Sequence, residues 1–130
     1  MKKIRVLIAI LGLDQHEVGA ITVSCALRDA GIEVIYAGRF NLPGMIVTTA
    51  LQESVDLIGL SCGSWEYLYY VPELIELLKA RDLAIPVIVG GSIITASDEK
   101  TLKHQGVAAV FGPSATMAKI IATVNDLVPS

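Results

Sequence analysis

The sequence predicts a single α/β domain, spanning residues 1–130, in which five parallel strands alternate with five helices. Short apolar runs alternate with stretches whose apolar residues recur at helical spacing. Glycine or proline stands at most of the joints between them. The chain has 130 residues, of which 53% are hydrophobic and 18% charged. It can therefore bury a sizeable core and is too apolar to be intrinsically disordered.

The first half of the chain predicts two strands and two helices. Residues 4–10 are apolar apart from one arginine, which is typical of a central strand buried on both faces. Residues 17–30 carry apolar side chains at helical spacing, and Gly31 follows where a helix C-cap favours positive φ. Residues 32–37 form the second strand. Residues 43–53 form the second helix, with a proline near its first turn.

The second half predicts three more strands, at residues 56–61, 85–89 and 107–111, and three more helices, at residues 66–81, 97–105 and 115–127. Pro72 falls inside the third helix, where we expect it to kink the helix or mark its start. Gly90 and Gly91 end the fourth strand. Ser97 is expected to cap the fourth helix.

This order of elements favours a doubly wound, Rossmann-like sheet with the flavodoxin-like strand order 2-1-3-4-5. In such sheets ligands bind beyond the carboxyl ends of the strands, at the switch point between the first and third strands. The rule selects four loops before any chemistry is considered. They are residues 12–19, 61–66, 90–95 and 112–116.

The composition disfavours several classes of partner. A net charge of −3 argues against nucleic acid, which calls for a basic surface. No apolar run reaches the ~20 residues of a membrane span, and the Met-Lys-Lys start leads into no cleavage site. Cys25 and Cys62 are too few for a disulfide framework and fit a reducing cytoplasm. We expect both cysteines to be buried, as small apolar residues.

Asp14 and His16 stand two residues apart in the first of these loops. In an extended segment both side chains point the same way, so the carboxylate can accept one imidazole proton and leave the other nitrogen free for a metal. The alternative is that Asp14 caps the following helix and that His16 is a solvated loop residue. The sequence holds no second histidine or cysteine nearby for a zinc site. A metal here would therefore take its other ligands from a cofactor.

The loop motifs together resemble the cobalamin-binding domain of methylmalonyl-CoA mutase and related acyl-CoA mutases. The resemblance runs from Ile4 to Leu127. Its motifs follow the first, third, fourth and fifth strands: Asp14-x-His16-x-x-Gly19, Ser61, Gly90-Gly91 and Gly112-Pro113.

The resemblance implies that the cofactor binds with its benzimidazole displaced from cobalt, that His16 is the lower cobalt ligand and that Asp14 orients it. The displaced nucleotide tail would lie in a slot between the first and third strands, where Ser61 offers a hydroxyl. No residue of this chain is implied to be catalytic. The implied cofactor-binding residues are Asp14, Gln15, Gly19, Ser61, Gly63, Trp65, Gly90, Gly91, Gly112 and Ser114.

The resemblance also implies an isomerase function that depends on adenosylcobalamin and is shared with a second chain. The 130 residues hold no substrate barrel, so a separate large subunit with a TIM barrel is implied. A homo-oligomer is compatible with the sequence. Two other classes share the fold but fit less well. A phosphoreceiver would need an aspartate where Ser61 ends the third strand, and Asp14 and Glu17 would repel the phosphate of a flavin.

Several positions depart from the family pattern and support a second hypothesis. Ile10 stands where mutases usually carry a lysine, and Gln15 stands in place of a glycine. Gly63 and Trp65 alter the third loop, and Ala115 stands where the last loop usually carries a threonine, so a hydroxyl expected near the tail's sugar and phosphate is lost. A large side chain such as that of Trp65 can stack on the nucleotide tail or fill its slot. The alternative function is therefore a non-catalytic member of the family that acts as a binding or assembly partner.

Four of the seven aromatic residues fall within six positions, at Trp65, Tyr67, Tyr69 and Tyr70. They can form an exposed surface for a partner. They can equally pack the start of the third helix against the core. The sequence leaves both interpretations open.

Overall fold

The computed structural model describes residues 3–11, 17–62, 67–91, 94–112 and 115–128, and within these ranges five strands alternate with five helices. The strands are β1 (Arg5–Leu11), β2 (Glu33–Asn41), β3 (Leu57–Ser61), β4 (Val87–Gly90) and β5 (Ala109–Phe111). The helices are α1 (Val18–Asp29), α2 (Pro43–Glu53), α3 (Tyr67–Ala80), α4 (Ala96–His104) and α5 (Met117–Leu127).

The strands form one parallel sheet in the order β2-β1-β3-β4-β5. This confirms the predicted flavodoxin-like, doubly wound α/β fold. None of the helices in the described ranges is long and apolar enough to cross a bilayer.

Each face of the sheet is covered by its own apolar layer. Alternate residues of β1 point to opposite faces, so Leu7 packs in the layer shared with α2, α3 and α4, while Ile8 packs in the layer shared with α1 and α5. Both side chains are almost wholly buried. The central strands are therefore apolar on both faces, as the unbroken apolar run of β1 predicts.

Helix α1 lies on the sheet through Ala20, Ser24 and Leu27, which are its buried residues. Gly31 follows the helix with a φ of +86°, which confirms the predicted C-cap turn. The expectation that Cys25 is buried is wrong, because this thiol is exposed. Cys25 follows Ser24 by one residue, a rotation of about 100° around the helix, which turns its side chain away from the sheet. Cys62 is buried, as expected.

The predicted cap of α4 is also wrong. Thr95, not Ser97, is the N-cap residue, and its hydroxyl accepts a hydrogen bond from the backbone N–H of Asp98 at 3.1 Å. A cap must reach an N–H two or three residues further on, so the position of the hydroxyl relative to the first helical turn decides its role. Ser97 already lies inside the helix. Helix α3 runs through Pro72 and begins before it, at Tyr67.

Strand β2 is longer than the predicted 32–37 and continues to Asn41. Its pairing with β1 shifts register twice, between the pairs Ile8↔Tyr36 and Leu11↔Asn41. Gly38 and Phe40 have positive φ angles of 72° and 66° in this stretch. The irregular backbone allows the strand to continue past the glycine that marks the predicted end.

Candidate cofactor-binding site

The carboxyl ends of the strands meet in one row across the sheet. Ile10 of β1 pairs with Ser61 of β3, Ser61 pairs with Gly90 of β4, and Gly90 pairs with Phe111 of β5. The parallel sheet therefore brings Ser61 and Gly90 side by side, although they are far apart in sequence. This row lies at the edge that the switch-point rule selects.

A cavity of about 440 Å³ lies at this edge, between the sheet and the helices α1 and α5. Five of the residues predicted from sequence to bind a cofactor line it: Gly19, Ser61, Gly90, Gly91 and Gly112. Apolar side chains of α1 and α5, among them Val23, Met117 and Ile120, complete its walls. A volume in this range is typical of pockets for small molecules and cofactors.

The floor of the cavity contains a glycine that the sequence analysis missed. Gly59 lies in the middle of β3 and pairs with Ile8 on one side and Ile88 on the other. A Cβ atom at Gly59 would lie 2.8 Å from Cδ1 of Ile8, so a side chain here would have to displace that isoleucine. A glycine inside a buried strand is itself a signal of close approach by a ligand or another group.

The predicted glycines serve different purposes. Within the described part of the chain, a Cβ atom at Gly19 or Gly112 would meet no protein atom within 4 Å, so a side chain there would extend into open space at the cavity. A Cβ atom at Gly91 would lie only 2.0 Å from the carbonyl oxygen of Cys62. The close packing of the backbone between β3 and β4 is therefore enough to require a glycine at position 91, whether or not a ligand approaches it.

The other predicted site residues lie outside the described residues. They are Asp14, Gln15 and His16 after β1, Gly63 and Trp65 after β3, and Ser114 after β5. By chain connectivity, His16 immediately precedes Glu17, and Gly19 in the first turn of α1 follows three residues after His16.

Two tyrosine–carboxylate hydrogen bonds join residues that are not part of the cavity lining. The Tyr36 hydroxyl donates to Oε1 of Glu17 at 2.7 Å, and the Tyr67 hydroxyl donates to Oδ2 of Asp98 at 2.5 Å. Burial, followed by the hydrogen bond to the carboxylate, raises the pKa of each phenol to about 12. The bond from Tyr67 in turn lowers the pKa of Asp98. Both bonds thus join residues that begin or precede a helix to a neighbouring element.

The aromatic residues at the start of α3 differ in exposure, so core packing explains some of them and not others. Tyr67 is 2% exposed and packs in the core, and Tyr70 is partly buried against it. Tyr69 is 67% exposed. Trp65 lies outside the described residues. Packing therefore accounts for Tyr67 and Tyr70.

A parallel sheet of this order, with a cavity at its switch point, belongs to the doubly wound α/β class, in which ligands typically bind at that point. Among solved structures, the chain is similar to a cobalamin-binding protein from Desulfitobacterium hafniense, with a TM-score of 0.85 and 22% identity over 98% of this chain and 60% of that one. It is also similar to the receiver domain of a putative response regulator, NarL, from Mycobacterium tuberculosis, with a TM-score of 0.74 and 17% identity over 97% of this chain and 96% of that one. At these identities the likenesses show the fold alone.

The sequence comparisons are more specific. Residues 4–122 match the model of the B12 binding domain. The chain is 37% identical to the 2-hydroxyisobutanoyl-CoA mutase small subunit of Aquincola tertiaricarbonis, over 96% of this chain and 92% of that protein. It is 39% identical to the pivalyl-CoA mutase small subunit of Xanthobacter autotrophicus, over 97% of this chain and 84% of that protein. It is also 32% identical to methylmalonyl-CoA mutase of Escherichia coli, but covers only 17% of that longer chain. The chain belongs to the B12-binding domain family.

Proposed function

We propose that this chain is the cobalamin-binding small subunit of an adenosylcobalamin-dependent acyl-CoA mutase, which acts in the cytoplasm. A separate large subunit with a TIM barrel would bind the acyl-CoA. Two mutase small subunits, which this chain matches over most of their length, support the assignment. The enzyme activity would be an isomerisation that requires both chains.

The cavity at the switch point is the observation that carries the proposal. Its 440 Å³ and its mainly apolar walls suit a planar aromatic base such as the displaced benzimidazole. Ser61, which lines the cavity, can donate its hydroxyl to a ring nitrogen of that base. Open space beside the Cα atoms of Gly19 and Gly112 leaves the walls free of side chains at those points. The described residues therefore fit the nucleotide tail of cobalamin.

In this proposal His16 is the lower cobalt ligand, and Asp14 accepts the other imidazole proton and so fixes the tautomer. Gln15, Gly63, Trp65 and Ser114 would complete the surface around the cofactor. When bound, cobalamin supplies radical chemistry through its cobalt–carbon bond. The chain's own residues hold the cofactor and orient it.

The second hypothesis is a family member whose slot has closed and which serves only as a binding or assembly partner. Its motivation is the group of departures from the family pattern, such as Ile10 in place of a lysine. In the structure the Ile10 side chain is wholly buried in the core. The cavity among the described residues argues for a retained slot.

The test of cofactor binding is a titration of the chain with hydroxocobalamin, followed by visible absorption, for wild type and His16→Ala. We expect a spectral change with wild type that is lost or altered with His16→Ala. After one-electron reduction of the bound cofactor with dithionite, electron paramagnetic resonance of the resulting cob(II)alamin identifies the ligand. A protein imidazole labelled with ¹⁵N splits the cobalt signal into doublets, and the unlabelled cofactor base gives triplets. Failure of wild type to bind cobalamin would favour the second hypothesis, while triplets with labelled protein would refute His16 as the ligand.

The test of the assembly uses the large subunit of an acyl-CoA mutase similar to those to which the two small-subunit relatives belong. We expect acyl-CoA isomerisation only when both chains and adenosylcobalamin are present. Co-elution of the two chains without turnover would support an assembly role instead.

A further inference from the structure

The C-terminal half of β2 carries two more residues than the part of β1 beside it. From Ile8 to Leu11 the chain advances three positions, while their partners Tyr36 and Asn41 are five positions apart. The extra residues twist the strand and redirect its side chains. The result is that Asn41, the last residue of β2, pairs with Leu11, the last residue of β1.

Asn41 holds the end of β1. Its side chain is buried, with 5% of the residue exposed. Its Nδ2 donates to the carbonyl oxygen of Ile10 at 3.3 Å and to that of Gly38 at 2.7 Å. One buried amide thus ties the main chain of β1, just before the segment 12–16, to the irregular part of β2.

Tyr36 and Arg39 hold the residue at the other end of that segment. The Tyr36 hydroxyl donates to Oε1 of Glu17 at 2.7 Å, and Nε of Arg39 lies 3.4 Å from Oε2 of the same carboxylate. The Arg39 guanidinium also lies over the Phe40 ring, 5.2 Å from its centroid. Glu17 is therefore bound through both of its oxygens to β2.

We propose that Tyr36, Arg39 and Asn41, here called the β2 frame, are positioning residues for the segment that carries His16. The frame holds Ile10 on one side of residues 12–16 and Glu17 on the other, and both anchors belong to a single strand. Fixing both ends restricts the conformations of a short segment and so pre-organises its ligand. The inference rests on the proposed function, in which His16 binds cobalt.

The Arg39–Glu17 pair is expected to act on this geometry more than on folding. Its two side chains are 40% and 34% exposed. Ion pairs at such positions contribute little to stability. Loss of the pair should therefore leave the fold intact and change how well the segment presents His16.

The test uses Tyr36→Phe and Arg39→Gln in ¹⁵N-labelled protein loaded with cob(II)alamin. Equilibrium dialysis measures total corrinoid bound, and electron paramagnetic resonance measures the fraction that shows the ¹⁵N doublet. For the double variant we expect the ratio of ligated to unligated cofactor to fall about tenfold, within the range seen when a partner of a metal ligand is removed. Arg39→Lys, which keeps the charge, should recover part of the loss.

The matched control is Tyr70→Phe, which removes a hydroxyl from a partly buried tyrosine on the opposite face of the sheet. It should leave the ligated fraction at the wild-type value. Thermal unfolding of every variant distinguishes a protein that misfolds from one that folds but positions His16 poorly. If Tyr36→Phe unfolds, Arg39→Gln, which changes an exposed side chain, still tests the inference. The inference would be overturned if the wild type shows the doublet and the β2-frame variants show the same ligated fraction as the wild type. A wild type without the doublet would overturn the proposed function, and the inference with it.

Discussion

Gly19→Leu separates the cofactor site from the stability of the fold. Gly19 is the second residue of α1 and lines the cavity, and a Cβ atom there meets no atom of the residues that the structure describes within 4 Å. A leucine should therefore be accommodated without strain. It should even stabilise the helix by about 0.5 kcal/mol, since glycine is a poor helix former.

The same leucine should block the cavity. Its four side-chain carbons fill roughly 120 Å³, if each group takes about the 30 Å³ of a water molecule. This is close to a quarter of the cavity's 440 Å³. We expect cobalamin affinity to fall about 100-fold or more, which corresponds to about 2.7 kcal/mol.

The measurement is a hydroxocobalamin titration beside a thermal melt, with Gly44→Leu as the control. Gly44 is the second residue of α2, is exposed, and has the same open space around its Cα atom, but it does not line this cavity. The control should bind cobalamin as wild type does. Wild-type affinity in a folded Gly19→Leu variant would refute the assignment of the cavity to the nucleotide tail.

Three further predictions concern the fold. Ser24→Ala should raise the free energy of unfolding by about 1 kcal/mol in chemical denaturation, because the buried Ser24 hydroxyl has no hydrogen-bond partner among the described residues; an unchanged or lower value would contradict this. Tyr36 and Tyr67 have folded-state pKa values of about 12 against an ordinary 10.0, so their contribution to stability is fully present below pH 10 and is lost as the pH rises through 12. Thermal unfolding measured across this pH range should show the loss of stability. The loss should be smaller when both tyrosines are changed to phenylalanine, and equal losses in the two proteins would refute the prediction. A thiol reagent should label Cys25 and spare Cys62 in the native protein, as read by mass spectrometry, and label both after denaturation.

The sequence predicted the order of strands and helices because apolar runs and helical periodicity report burial directly. It missed the second half of β2 for a local reason. Gly38 and Arg39 interrupt the apolar run and are typical of a joint, yet the strand continues through a positive φ at Gly38. The prediction that Cys25 is buried was wrong because this small apolar residue stands next to the buried positions of α1, and nothing in the local sequence shows which side of the helix it faces.

The candidate site was predictable where a strand's end defines it. Ser61 and Gly90 follow from the switch-point rule, and the structure places them in adjacent register. The walls that α5 contributes through Met117 and Ile120 could not be predicted in this way. Their place depends on how α5 packs across the sheet, which no local pattern encodes.

The contact between Gly91 and Cys62 affects how other members of this family should be read. A methyl group at Gly91 would collide with a backbone carbonyl that no rotamer change can move aside. Selection for a folded sheet alone should retain this glycine, even in a lineage that has stopped using cobalamin. Gly19 is under no such constraint, because a Cβ atom there would meet no atom of the described residues within 4 Å. Under the proposed function, a family survey should therefore find that loss of the glycine at position 19 marks members that have abandoned the cofactor, while the glycine at position 91 persists in both groups.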